Sequence, residues 1–177
     1  MSFLTKKEVS DYQSLIPLVG DEERVKILQL LELDKVQRCK ESFIFFVSQM
    51  WPVFISGKHH QIMADAFERV AKGELKRLII NMPPRHTKSE FASYLLPAWF
   101  LGKFPHKKII QTAHTAELAV GFGRKDRNLV SSDPYQKVFG TKLSSDSKAA
   151  GRWNTDVGGD YFAIGVGGAV TGKGADL

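Results

Sequence analysis

Residues 78–90 read LIINMPPRHTKSE: an apolar triplet, a tight proline-bearing loop, then Lys-Ser opening a helical pattern. Leu78, Ile79 and Ile80, bounded by Arg77 and Asn81, have the form of a short strand buried on both faces of a parallel sheet. Strand, loop and helix start in that order aim backbone N–H groups at one spot, where the positive end of the helix favours an anion. Against the pattern G-x-x-x-x-G-K-[ST], Lys88 stands where an ammonium reaches phosphate and Ser89 where a hydroxyl meets Mg²⁺. Met82 and Thr87 occupy the two glycine positions, where a Cβ crowds the phosphates and positive φ is costly. By the strict motif the match is weak, and a plain strand-to-helix turn with an exposed lysine accounts for the same residues.

Downstream, residues 88–101 form an apolar helical segment that Pro97 is expected to kink or split. Residues 108–111 predict a second strand and 117–130 its crossover helix, with Leu118, Phe122 and Leu129 inward. Two strand-helix units in succession argue for an α/β fold, a parallel sheet with helices on its faces. Residues 151–155 and 161–166 predict an antiparallel pair at the sheet edge.

Upstream, residues 21–40 place Val25, Ile27, Leu28, Leu31 and Val36 near helical spacing, with Asp21, Glu22 and Glu23 at the positive end. A second helix is expected over 41–50, ended by Trp51-Pro52, and a third over 59–73, with Ile62, Met63, Phe67 and Val70 on one stripe and Gly73 as its stop. The aromatics Phe43, Phe45, Phe46, Trp51 and Phe54 read as core. The chain thus divides into a helical lead-in, 1–57, and a core, 58–177.

With 177 residues and 43% hydrophobic content the chain can bury a core. Its single cysteine, Cys39, has no partner for an internal disulfide or a metal site, which fits a reducing compartment. The longest apolar runs are too short to span a bilayer and the first residues carry no apolar export core, so a cytoplasmic protein is expected. The net charge of +6 is uneven: residues 1–60 hold 8 basic and 8 acidic side chains, residues 61–177 hold 17 and 11. That bias suits a polyanionic partner, nucleotide or DNA.

MPPRHTKSE, residues 82–90, resembles the variant Walker A loop of the large terminase subunit of tailed bacteriophages, the ATPase that pumps DNA into preformed capsids. The likeness runs through WPVF (51–54), HHQIMADAFERVAKGELKRLIINMPPR (59–85), PAWFLGKFP (97–105), IIQTAHTAELAVGFGRKDRNLV (109–130), GRWNT (151–155) and GVGGAVTGKGADL (165–177). It covers roughly residues 40–177, in the family's order and spacing; Thr87 departs from the family's more usual glycine.

This resemblance implies a RecA-like P-loop NTPase with a parallel sheet, using ATP and Mg²⁺. Lys88 and Ser89 would bind phosphate and Mg²⁺, with Arg85, His86 and Thr87 forming the cradle and Glu90 beside it. Arg85 and Lys88 would be the catalytic pair, stabilising charge on the γ-phosphate oxygens. Gln61 would read the adenine edge, and Arg124, Arg127, Arg152 and Lys173 are the candidates for a trans-acting cation. Thr112, His114 and Thr115 lie at the second strand-helix junction, where capping by Thr115 is the simpler account.

Expected partners are double-stranded DNA, a small terminase subunit, the portal protein and sister copies in a ring. The expected location is the host cytoplasm, with transient docking at the procapsid portal and no membrane. The resemblance also implies a strand directly after Leu177, ending in an acidic pair, and a later nuclease domain. The chain is therefore expected to be an incomplete ATPase core, truncated before the Walker B strand, with negligible hydrolysis alone. Two rivals share the motif: another P-loop nucleic-acid translocase or helicase, and a non-catalytic P-loop-like interaction module.

Overall fold

The computed structural model describes residues 3–177. Four helices lead: α1 (Lys6–Leu15), α2 (Asp21–Glu41), α3 (Phe43–Met50) and α4 (Lys58–Ala71). A helical run interrupted in its middle follows, formed by α5 (Lys88–Glu90), a π-helical turn (Phe91–Leu95) and α6 (Leu96–Lys103). Strand β1 (Lys108–Ala113), helices α7 (Ala116–Val130) and α8 (Asp133–Phe139), and strands β2 (Leu143–Ala149), β3 (Arg152–Thr155) and β4 (Asp160–Gly165) complete an α/β fold.

Local chemistry sets the helix limits. Thr5 and Glu8 form a reciprocal capping box at the start of α1. Ser42 is extended, which ends α2, and its hydroxyl meets the Phe45 amide at 3.5 Å, which starts α3. Gly73 takes φ +75° just beyond α4, a conformation open to glycine without a Cβ penalty. Thr115 caps α7 by accepting from the Leu118 amide at 3.2 Å. Ahead of Pro97, which lacks an N–H, the helix loosens into the π-helical turn, so the expected disruption lies before the proline rather than at it.

The sheet runs β1-β4-β3-β2. β1 and β4 are parallel, while β3 is antiparallel to both β4 and β2, so the sheet is mixed rather than wholly parallel. The expected antiparallel pair forms as β3 and β4, but β4 is an inner strand and β2 the edge. α7 packs against this sheet. A Cβ on Gly123 would collide with the Ala150 carbonyl and lie 2.9 Å from the Tyr161 ring, while Trp153 donates its indole N–H to the Gly123 carbonyl at 3.2 Å. Trp153 in turn stacks on Tyr161 with centroids 4.9 Å apart.

Side chains from both sides of position 57 share one core. Phe43 meets Phe67, Phe91 and Trp99 edge-on at 5.4 to 5.6 Å. Trp99 donates its indole N–H to the Cys39 carbonyl at 2.9 Å, and Tyr135 donates its hydroxyl to the Ala98 carbonyl at 2.7 Å. Cys39 itself is fully buried, and that burial pushes its thiol up to about 11.

Several sequence expectations are corrected. Residues 78–80 form no strand: Ile79 is 84% and Leu78 37% exposed, and no neighbouring strand pairs with them. Extended backbone needs a partner ladder, and a groove lies between this segment and residues 175–177, which pair with β1. Only one strand-helix unit, β1 with α7, is therefore present in the sheet. Ile62 and Leu118 face outward, as do Val25 and Leu28, because the neighbours needed to cover those faces are not packed there. Met63, Phe67 and Leu129 are buried as expected.

Candidate functional site

The loop before α5 is built on two left-handed residues, Arg85 at φ +64° and Thr87 at φ +61°. Neither is glycine, and for β-branched Thr87 this is a conformation that surrounding contacts must enforce. Met82, at the first glycine position of the motif, is not left-handed. Three contacts secure the loop. His86 donates its Nδ1–H to the Pro84 carbonyl at 2.9 Å. The Thr87 hydroxyl donates to the His86 carbonyl at 2.6 Å, and the Thr87 carbonyl accepts from the Phe91 amide at 3.0 Å.

His60 supplies the remaining restraint. Its Nε2 lies 2.7 Å from the Thr87 hydroxyl and its Nδ1 2.8 Å from the Gly57 amide. The Gly57 N–H can only donate, so Nδ1 is the acceptor and Nε2 carries the hydrogen given to Thr87. The ring is 5% exposed, stacked on Phe91 at 4.9 Å and edge-on to Phe54 at 4.9 Å. Burial lowers its pKa, and neighbouring His59 lowers it further, so the neutral ring this network needs is the favoured one.

Just past the loop, the amides of Lys88, Ser89 and Glu90 meet no acceptor within the protein among the described residues. The side chains of Lys88 and Ser89 likewise make no hydrogen bond or ion pair there, and both line a groove of about 600 Å³. Its other walls include Phe67, Val70, Lys76, Leu78, Ile80 and the segment 175–177. Asp176 and Leu177 pair with β1: the Asp176 amide donates to the Lys108 carbonyl at 2.8 Å, and the Ile110 amide to the Leu177 carbonyl at 3.0 Å. The Asp176 carboxylate holds Lys107 at 2.7 Å and the Lys108 amide at 2.9 Å, and these bonds keep its pKa below the ordinary carboxylate value.

The other sequence candidates sit apart. Glu90 turns toward α7 and pairs with Lys125 at 2.7 Å. Gln61 is exposed and donates to the Ser56 hydroxyl at 3.0 Å, in a second groove with Phe54, Phe45 and Arg38. Arg85 and His86 are exposed on the loop. Arg127 donates to the Lys148 carbonyl at 2.9 Å, Lys173 covers the Phe162 ring at 3.9 Å, and Arg124 and Arg152 are exposed. Thus Arg85 to Ser89 form one constellation, with Glu90 and Gln61 directed elsewhere.

Sequence reasoning missed His60. The histidine lies 27 positions before Thr87, and the only visible hint was the HHQ run at the head of α4. Among the described residues no group of three or more His, Cys, Asp or Glu side chains is placed to hold a metal ion. No helix among them is long and apolar enough to cross a membrane. Comparison with protein-family profiles, with curated proteins and with solved structures gave no match.

Proposed function

We propose that this chain binds the phosphates of ATP at residues 85–89, as the nucleotide-binding part of a DNA-packaging motor of the large-terminase kind. One observation supports the proposal: directly after a left-handed turn at Arg85 and Thr87, the amides of Lys88, Ser89 and Glu90 and the Lys88 ammonium have no partner among the described residues, and Lys88 and Ser89 line one groove. Amides without acceptors at a helix start suit an anion, and a lysine without a counter-ion suits a phosphate. Thr87 takes a backbone conformation characteristic of the glycine it replaces.

The residues fit the expected cofactor. ATP with Mg²⁺ would supply the reactive phosphoanhydride, Lys88 would contact the β- and γ-phosphates, and Ser89 would offer its hydroxyl to Mg²⁺. Arg85, exposed at the loop tip, would meet the terminal phosphate.

A RecA-like sheet belongs to the same proposal. Leu177 bonds to β1 on both sides of Ile109 in the parallel pattern, and the groove beyond it is walled by Leu78 and Ile80. One further strand laid there would join residues 78–80 to the sheet. The intact motor would translocate double-stranded DNA as a ring docked on the portal, alongside a small terminase subunit, in the host cytoplasm.

Titration with ATP and Mg²⁺ tests the phosphate site. Lys88→Ala is expected to weaken binding at least tenfold, roughly the loss of one charge-assisted contact. A second reading, a P-loop-like interaction module without nucleotide, is favoured by the ion pair that draws Glu90 away to Lys125 and by the missing glycines. It calls for equal behaviour of wild type and Lys88→Ala.

A further inference from the structure

We infer that His60 is a positioning residue for the phosphate loop: its Nε2–H holds the Thr87 hydroxyl, and thereby keeps Thr87 in the left-handed conformation that glycine supplies in the ordinary motif. The inference rests on the phosphate site proposed above and adds to it a residue on another helix.

A left-handed non-glycine residue is strained relative to its relaxed conformations, and a β-branched one is the least tolerant. Something must return that energy, and the bonds available to Thr87 identify it. Its hydroxyl sits in a directional chain: the Gly57 N–H donates to His60 Nδ1, His60 Nε2–H donates to Thr87 Oγ1, and Thr87 Oγ1–H donates to the His86 carbonyl. Each donor meets an acceptor, so the chain runs one way only. The last bond is local and would form in many loop conformations. The bond from His60 is long-range, and it ties the loop to α4.

His60 is itself held by several contacts. Phe91 stacks on one face, Phe54 abuts its edge, and its far nitrogen is fixed by the backbone before α4. Phe91 also belongs to the helical run that the loop opens, and its amide bonds the Thr87 carbonyl. The imidazole is therefore wedged between α4 and the helix that carries Lys88 and Ser89. A side chain whose nitrogens are both engaged and whose ring is stacked transmits position well, since it has no free rotamer. Left-handed Thr87 thus has His60 as its support.

A double-mutant cycle separates positioning from mere packing. In the wild-type chain, His60→Ala is expected to weaken binding of ATP with Mg²⁺ about tenfold, the equivalent of the strain released. In a Thr87→Gly background, where φ near +60° carries no side-chain penalty, the same His60→Ala change is expected to shift affinity less than about twofold. His60→Gln retains an acceptor and a donor and is expected to recover most of the loss. Independently of nucleotide, His60→Ala is expected to speed hydrogen exchange of the Phe91 amide, and Thr87→Gly to remove that effect.

Equal loss in both backgrounds would mean that His60 acts through packing alone, and would overturn the inference. So would unchanged affinity and unchanged Phe91 exchange in His60→Ala while Lys88→Ala abolishes binding. If Lys88→Ala changes nothing, the phosphate site itself fails; the Phe91 exchange cycle still decides whether His60 restrains Thr87. Should His60→Ala not fold, His60→Phe, which keeps an aromatic ring against Phe54 and Phe91 but offers Thr87 no donor, supplies the same comparison in the wild-type and Thr87→Gly backgrounds.

Discussion

Asp126 is the second side chain, after Thr87, held where its own chemistry resists. It lies on α7, fully buried, with neither carboxylate oxygen in a hydrogen bond of good geometry and the Tyr161 hydroxyl as its polar neighbour. Burial raises its pKa well above 3.8, opposed more weakly by Tyr161 and Lys125, so the folded protein favours the protonated acid. Below pH 3.8 both folded and unfolded chains are protonated and no penalty exists. Above it the unfolded chain ionises first, and stability falls as pH rises toward the folded-state value. Asp126→Asn removes this linkage, so its melting temperature relative to wild type is expected to climb by several degrees between pH 4 and pH 7. A constant difference across that range would show that the carboxyl does not titrate between the two states. The charge pattern around Asp126 offered no sign of this, because burial arises from Tyr161 and the sheet beneath, whose positions depend on the fold. The roles proposed for Lys88 and Ser89 could be drawn from their adjacency and from the resemblance; the contact of His60 with Thr87 could not, since the two residues are distant in sequence.

At the scale of elements, structure with local causes was readable and structure with distant causes was not. Capping residues, prolines and apolar spacing located α2, α3, α4, β1 and α7 close to their observed limits. Residues 78–80 failed as a strand because apolarity specifies a buried strand only when a neighbour takes its hydrogen bonds. Pairing partners also decide that β4 is an inner strand.

Two measurements follow at this scale. Asp176→Ala removes both the Lys107 ion pair and the bond to the Lys108 amide, so exchange at Lys108 and Ile110 is expected to accelerate while global stability changes by less than about 1 kcal/mol. Its depressed pKa makes the tether complete above pH 3.8 and lost as pH falls through the folded-state value. Gly123→Ala drives a methyl into the Ala150 carbonyl and the Tyr161 ring, and a loss of about 1–3 kcal/mol in chemical denaturation is expected. Retained stability would mean that α7 can lift off the sheet at no cost.

Taken whole, the molecule joins its early helices to its sheet through one aromatic core, with the loop of interest at the junction of α4 and the broken helix. The division at residue 57 follows the run of helices ahead of the core, and Phe43 and Phe46 pack across it against Trp99 and Tyr135. The charge excess after residue 60 suits a polyanion. Under the proposed function, any affinity for double-stranded DNA is expected to fall steeply between about 50 and 200 mM salt, as read by fluorescence anisotropy. Salt-independent association would exclude contact through phosphates.

The interior placement of Cys39 has a practical corollary. With its sulfur sealed from solvent and its ionisation displaced to about 11, almost no thiolate exists at neutral pH to attack an alkylating dye. A cysteine introduced at Leu78 or at Gln61 would then carry a fluorophore at one defined place, and occupancy of either groove could be followed by its emission with the native sequence otherwise intact.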